Sequence, residues 1–265
     1  MGNIINNKKL IKATQDGNID MVEELLRNNA NVNTNGEDNI TSLMIASQKG
    51  YIMIVRILLN YKANVDTKDI NYNTPLHYAS KGGNCDIIEL LLNHRANIEA
   101  LNCNLNTPLT SACIRGKHTS VEKLLHCRAN IEATNNSGNT PLVIASICNH
   151  MNVVKELLQY KANIELTNYR GMTLLMAHSG MDRVDMVKIL LQHNANVNAK
   201  TDNGFSALMF ASVFGNIYVI KELLDSGADM DIDINGITAL QCAIEGNHKD
   251  VASLLQYTQE KMKKN

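Results

Sequence analysis

Three sets of residues recur along this chain at one interval. Thr41, Thr74, Thr107, Thr140 and Thr173 stand 33 residues apart, and Ser206 continues the series. Ala30, Ala63, Ala96, Ala129, Ala162, Ala195 and Ala228 keep the same interval throughout. Gly17, Gly50, Gly83 and Gly116 form a third set, which passes through Asn149 and returns as Gly215. A shared period of this size means one supersecondary unit stacked on copies of itself. Eight such units account for all but one of the 265 residues. The expected organisation is therefore a single array over residues 1–256, with units at 1–34, 35–67, 68–100, 101–133, 134–166, 167–199, 200–232 and 233–256. A polar tail, 257–265, follows.

The physics within a unit is readable at residues 74–107. Thr74 is a good N-cap, and Pro75 sits where a helix tolerates proline best. The first helix runs to Gly83, where the chain must turn. A second helix follows, with Ile87, Ile88, Leu90, Leu91 and Leu92 giving a broad apolar face. Ala96-Asn97-Ile98-Glu99 and a stretch rich in Asn then turn the chain back to the next Thr. Such a helix–turn–helix unit with a projecting loop cannot bury its apolar faces alone, whereas stacked neighbours can.

These residues resemble a known family. Thr-Pro-Leu-His at 74–77, Thr-Pro-Leu at 107–109 and 140–142, and the recurring Leu-Leu-x-x-x-Ala-Asn-[Val/Ile] are similar to the ankyrin repeat. The resemblance covers essentially the whole chain. It implies an all-α solenoid with short β-hairpin-like loops, in which the loop tips and first helices line a concave groove that binds other proteins. The end units fit a capping role: unit one lacks the hairpin, and unit eight drops one residue in its loop (Thr238) and a second before Gly246. The last residues, including Gln259, Glu260 and Lys261, give a polar outer face or a frayed tail.

Some positions depart from the family pattern. Gly138, Gly171, Gly204 and Gly236 supply the glycine expected at the hairpin tip, and Asn39 is an acceptable substitute. Tyr72 and Leu105 do not comply, so their tips either adopt another turn or carry strain. His178 stands where the motif has Ala; either Ala177 takes the small position by a local shift that Ser179 and Gly180 absorb, or a buried histidine serves there as a pH switch or ligand. The glycine that normally precedes the recurring Ala is present only as Gly227. Lys62, Arg95, Arg128 and Lys161 fill the same place, where the helix dipole favours a cation. Four residues later, Asp66, Glu99, Glu132 and Glu165 form an acidic ladder. Asn, at 36 of 265 residues, reads as the codon bias of an AT-rich genome.

Composition bounds the function. Lys and Arg total 25 against 26 Asp and Glu, so the basic excess usual for nucleic-acid binding is missing. An apolar fraction of 45% argues against disorder. Six cysteines without a Cys-x-x-Cys pair favour free thiols in a reducing compartment. No stretch reaches the length and hydropathy of a membrane span, and Asn6-Asn7-Lys8-Lys9 occupies the place of a signal peptide's apolar region. A cytoplasmic monomer is expected, with host-directed secretion or membrane tethering left open.

No constellation for chemistry stands out. The eight histidines are scattered, and His118, His126 and Cys127 lack the spacing and the fourth ligand of a zinc site. No catalytic residue, metal site or cofactor is expected. Binding positions follow from the repeat instead. The loop tips and exposed sides of first helices supply Tyr169, Met172 and Met181 in unit six, Phe205 and Phe214 in unit seven, and Ile147 and Cys148 in unit five. Phe210 is assigned to the core. Phe205 and Phe214 are either interface anchors or packed between repeats. Units two to four offer a more polar groove: Glu37, Asp38, Asn71, Asn73, Lys81, Asn104, Asn106 and Arg115. Met1-Gly2-Asn3 begins like a myristoylation site at Gly2, although Asn6 replaces the usual Ser or Thr. Asn33 and Asn198 resemble ankyrin asparagines that are hydroxylated in animal cells. The reading is a non-enzymatic scaffold or adaptor for a partner protein, or, alternatively, a lipid-anchored adaptor using the same groove.

Overall fold

A computed structural model describes residues 2–234 and 236–263, with side chains of 2–4 left aside; the suggested lipid site at Gly2 therefore lies outside the described side chains. The described residues form sixteen α-helices in two compact units, 1–162 and 163–265. In the first unit the helices pair as α1 (Gly2–Gln15) with α2 (Ile19–Arg27), α3 (Ser42–Lys49) with α4 (Ile52–Asn60), and α5 (Pro75–Gly82) with α6 (Cys85–Asn93). The pairs α7 (Pro108–Ile114) with α8 (His118–His126) and α9 (Pro141–Ile147) with α10 (Met151–Gln159) complete it. The second unit pairs α11 (Leu174–Gly180) with α12 (Val184–Gln192), α13 (Ala207–Phe214) with α14 (Ile217–Asp225), and α15 (Ala239–Glu245) with α16 (Lys249–Met262). Within each unit, first helices pack on first helices and second on second. Among the described residues, β-type pairing is confined to isolated bridges, such as Asn35 with Thr41 and Lys200 with Ser206.

From α3 onward the start of each first helix is set by a Thr, or by Ser206 at α13. The Thr107 side chain accepts from the Thr110 N–H, and Thr140, Thr173 and Thr238 do the same for the third residue of their helices. Each cap meets a donor that the helix itself cannot satisfy. Gly50, Gly83 and Gly215 end their helices at φ between 73° and 87°. The core runs between layers: Leu43, Leu76 and Leu109 from first helices and Leu58, Leu91 and Leu124 from second helices are all at most 1% exposed.

Asparagines build turns within repeats and bonds between them. Asn64, Asn97, Asn130, Asn163 and Asn196 each accept, through Oδ1, the N–H two residues on, at 2.9–3.0 Å. This local turn is one that Asn makes readily. Other asparagines reach to the neighbouring repeat. Asn84 Nδ2 donates to the Ser47 carbonyl at 2.7 Å, and Asn216 Nδ2 to that of Ser179 at 2.7 Å, satisfying carbonyls at the end of the preceding first helix.

The acidic ladder works in the same way. Asp66, Glu99 and Glu165 accept the backbone N–H of Asn97, Asn130 and Asn196 one repeat further on, at 3.0, 2.7 and 2.7 Å. These charge-assisted bonds between repeats account for the carboxylates. The basic ladder occupies a left-handed backbone position instead, with φ of 65–67° at Lys62, Arg95, Arg128 and Lys161.

Four expectations are corrected by the coordinates. The segment 257–262 is not a tail, because α16 continues through Met262. Unit eight loses only its loop residue: Asn247, at φ 59°, takes the left-handed place of Gly215, while Gly246 is right-handed. No local shift brings Ala177 into the small position; His178 itself is buried there, and Ala177 is half-buried. Phe210 is not core but half-buried, its ring 5.6 Å from that of Phe205.

Candidate functional site

The tips of the hairpins are built by a repeated side-chain device. Asp69 Oδ1 accepts the N–H groups of Asn71 and Asn73, Asn102 Oδ1 those of Asn104 and Asn106, and Asn168 Oδ1 those of Arg170 and Met172. Tyr72 and Leu105 adopt the same turn as the glycine tips, with the tip N–H bonded to the carbonyl three residues back, as at Gly138 and Gly171. Their φ values are 61° and 56°. Of the two alternatives strain is therefore the outcome, at a cost of roughly 1 kcal/mol or more per residue. Both side chains are exposed, Tyr72 at 55% and Leu105 at 45%.

In the first unit the polar residues divide into two groups. Asn73 and Asn106, expected on the groove surface, are buried. Asn73 Nδ2 donates to Asp69 Oδ2, and its Oδ1 accepts from Lys81 Nζ at 2.9 Å and Asn102 Nδ2 at 3.1 Å. The Tyr78 hydroxyl donates to the other side of this cluster at Asp69 Oδ2, 2.8 Å away. Burial alone would raise the Asp69 carboxyl, but donation from Asn73, Tyr78 and backbone N–H groups holds it below its ordinary value. Lys81 is half-buried, and burial, with Arg115 adding to it, pulls its ammonium below the usual range. Asn71, Asn104 and Arg115 are exposed. Glu37 and Asp38, also exposed, face Lys8, Lys12 and Lys49 across a groove of about 1120 Å³ that Tyr78 also lines. Ile147 is 57% exposed beside exposed Cys148.

In the second unit the apolar candidates lie on the first helices and their hairpins. Tyr169 is 85% exposed with the Arg170 guanidinium 5.3 Å from its ring centre, and Met181 and Phe214 are 63% and 60% exposed. Met172 and Phe205 are half-buried. Gly180 of α11 lies beneath the Phe214 ring: a Cβ there would stand 3.5 Å from two ring carbons and 4.0 Å from Phe210 Cβ. Phe205, Phe210 and Phe214 thus follow one another along α13 and the residue before it, with Phe214 the most open. With Asn247 in Gly215's place, Glu245 of α15, an exposed carboxylate, is level with Val213 of α13 rather than with Phe214.

Two buried histidines serve the fold. His77 Nε2 donates to the Asn106 carbonyl at 3.0 Å, and Nδ1 accepts the Thr74 N–H at 3.2 Å, tying one hairpin to the next repeat. Burial pushes it down to about 4. His178 is also lowered to about 4 by burial, with Arg183 nearby adding to it, and its Nδ1 has no hydrogen-bond partner. Of the other histidines, His118 pairs with Glu156 at 3.0 Å, and His126 meets the Tyr160 hydroxyl at 3.0 Å. Asn33 and Asn198 are exposed, yet each Oδ1 accepts a backbone N–H of the next repeat, from Asn64 and Asp229, at 2.8 Å. Among the described residues no cluster of three or more His, Cys, Asp or Glu is placed to hold a metal ion, and no helix is long and apolar enough to cross a membrane. All six cysteines are free thiols.

The model of the family described as ankyrin repeats matches residues 10–102, 66–135, 96–168, 150–234 and 182–265. The chain belongs to the ankyrin-repeat family. Among solved structures, it is similar to the crystal structure of the ankyrin repeat domain of Bcl-3, described there as a unique member of the IkappaB protein family. The identity is 30% and the TM-score 0.74, over 83% of this chain and 100% of that one. A comparison with curated proteins gives no match. Ankyrin repeats are in general modules of protein–protein interaction, and the arrangement described above is of that kind: exposed side chains on rigid, mutually bonded helices and hairpins.

Proposed function

We propose that this protein is a non-enzymatic scaffold that docks a partner protein on the concave side of its first helices and hairpin tips. The observation that carries the proposal is the exposure of Tyr169, Met181 and Phe214 on first helices and a hairpin whose backbones are fixed by hydrogen bonds between repeats. Large apolar side chains held open to solvent are common interface anchors. The supporting hydrogen bonds mean that little conformational freedom is lost on binding. In this reading Met172 and Phe205 supply surrounding contact area in the second unit, while the exposed Ile147, Cys148, Glu37, Asp38, Asn71, Asn104 and Arg115 offer contacts of the first unit's own. Asn73, Asn106 and Lys81 hold the hairpins in place.

The test is a pull-down from cells of the source organism with mass-spectrometric identification. The wild type is compared with the triple variant Tyr169→Ser/Phe205→Ser/Phe214→Ser, after circular dichroism has shown equal helix content. Loss of a specific partner supports the proposal. A partner that persists unchanged sinks the aromatic site and directs attention to the polar groove.

A further inference from the structure

All three phenylalanines of the chain lie on or just before α13, and together they form the strip that Gly180 leaves uncovered. The helix spans eight residues, so the strip is about 12 Å long, the reach of one short peptide segment. Carboxylates stand at both ends. Asp202, in the hairpin that leads into Phe205, bonds through its N–H to the Arg170 carbonyl at 3.3 Å. At the other end, Asp182 follows Met181, and Glu245 stands on the neighbouring first helix, level with Val213. Glu245 accepts from the amide of Gln241 at 3.1 Å. Among the described residues, no Lys or Arg forms an ion pair with Asp182, Asp202 or Glu245. Of the nearby cations, Arg170 lies over the Tyr169 ring, and Arg183 follows Asp182 in the chain and stands near His178.

We propose that the α13 strip docks a partner segment carrying one large apolar side chain flanked by Lys or Arg. This inference rests on the docking reading above and adds the chemistry of the partner. Phe210 and Phe214, four residues apart on one helix face, and the bare backbone at Gly180 supply the apolar seat. The uncompensated carboxylates at either end select against acidic segments and speed the encounter with basic ones, because opposite charges steer association and like charges penalise it. Phe214, 60% exposed, is the ring most open to an incoming aromatic or aliphatic group.

The probe is a random-peptide phage library selected on the full chain, followed by fluorescence anisotropy with the enriched peptides. The expected pool combines an aromatic or aliphatic residue with Lys or Arg on either side. Phe214→Ser weakens these peptides by ~10-fold or more. Glu245→Lys weakens them several-fold, and added salt reduces the difference between wild type and that variant. Tyr257→Ser, an exposed aromatic on α16, leaves affinity unchanged. An acidic or purely apolar pool, or affinity insensitive to both Phe214→Ser and Glu245→Lys, overturns the inference. If Phe214→Ser loses its fold, Glu245→Lys alone decides, since it changes only an exposed carboxylate. A cellular partner lost in the triple variant, alongside peptides with no basic preference, leaves the docking function standing and rejects this chemistry. A partner and peptides both indifferent to Phe214 reject the two together.

Discussion

Lowering the pH tests the two buried histidines together. Both titrate at about 4 in the fold, against 6.5 for an ordinary histidine. Their folded values are depressed, so the unfolded chain takes up protons first. The stability they protect is complete above pH 6.5 and is lost as the pH falls from there toward 4. A displacement of this size corresponds to about 3 kcal/mol per histidine at its limit, and to about 2 kcal/mol at pH 5. The structural reason differs between the two. Protonating His77 Nδ1 removes the acceptor for the Thr74 N–H, while protonating His178 places a charge where Nδ1 has no partner. The stability difference between pH 7.5 and 5.0, read from urea melts by circular dichroism, should shrink by about 2 kcal/mol in His178→Ala. His77→Gln should lower it by a similar amount, and the double variant by about the sum, because the sites are independent. Proton NMR of the imidazole resonances gives the titration directly. Either histidine titrating near 6.5, or an unchanged acid sensitivity in the single variants, refutes the reasoning.

Other outcomes follow from the same contacts. Tyr72→Gly and Leu105→Gly should each stabilise the chain by about 1 kcal/mol, raising the melting temperature by a few degrees, since glycine relieves the left-handed strain. Glu99→Ala should cost about 1–2 kcal/mol in urea melts by orphaning the Asn130 N–H, while Glu99→Gln, which keeps an acceptor, should cost less than half of that. Gly116→Ala should lower stability by at least ~2 kcal/mol, because the new Cβ meets His150 Nδ1 at 2.6 Å and φ is +63°. Equal melts for Gly116→Ala and wild type would show that this clamp between repeats is loose.

The repeat period, the Thr caps and the helix-ending glycines were legible in the chain because each is a local requirement: a cap must accept an N–H, and a tight turn needs a permissive residue. The family followed from those residues. The conformation at Tyr72, Leu105 and His178 was not legible, since a sequence shows a residue out of pattern but not whether the backbone or the side chain gives way. Here the backbone held in all three cases, because the hydrogen bonds from one tip to the next and the packing of first helix on first helix fix it more firmly than one residue can alter. The bonding role of the acidic ladder was missed for a related reason: acceptor and donor are a whole repeat apart, at 31 residues between Asp66 and Asn97, and no local pattern joins them.

The candidate site divides along the same line. Sequence alone determined that binding, if it follows the family, falls on the variable positions of hairpins and first helices, and it singled out Tyr169, Met181 and Phe214 by register. Only the tertiary structure decided that Asn73 and Asn106 are buried in a hydrogen-bonded cluster, that Phe210 lies half-buried against Phe205, and that Glu245 is level with Val213 on the preceding first helix. Register along one chain sets which residues share a position, but exposure depends on what the next repeat places over them. A glycine at position 180 leaves a ring uncovered, and that is a property of two helices in contact.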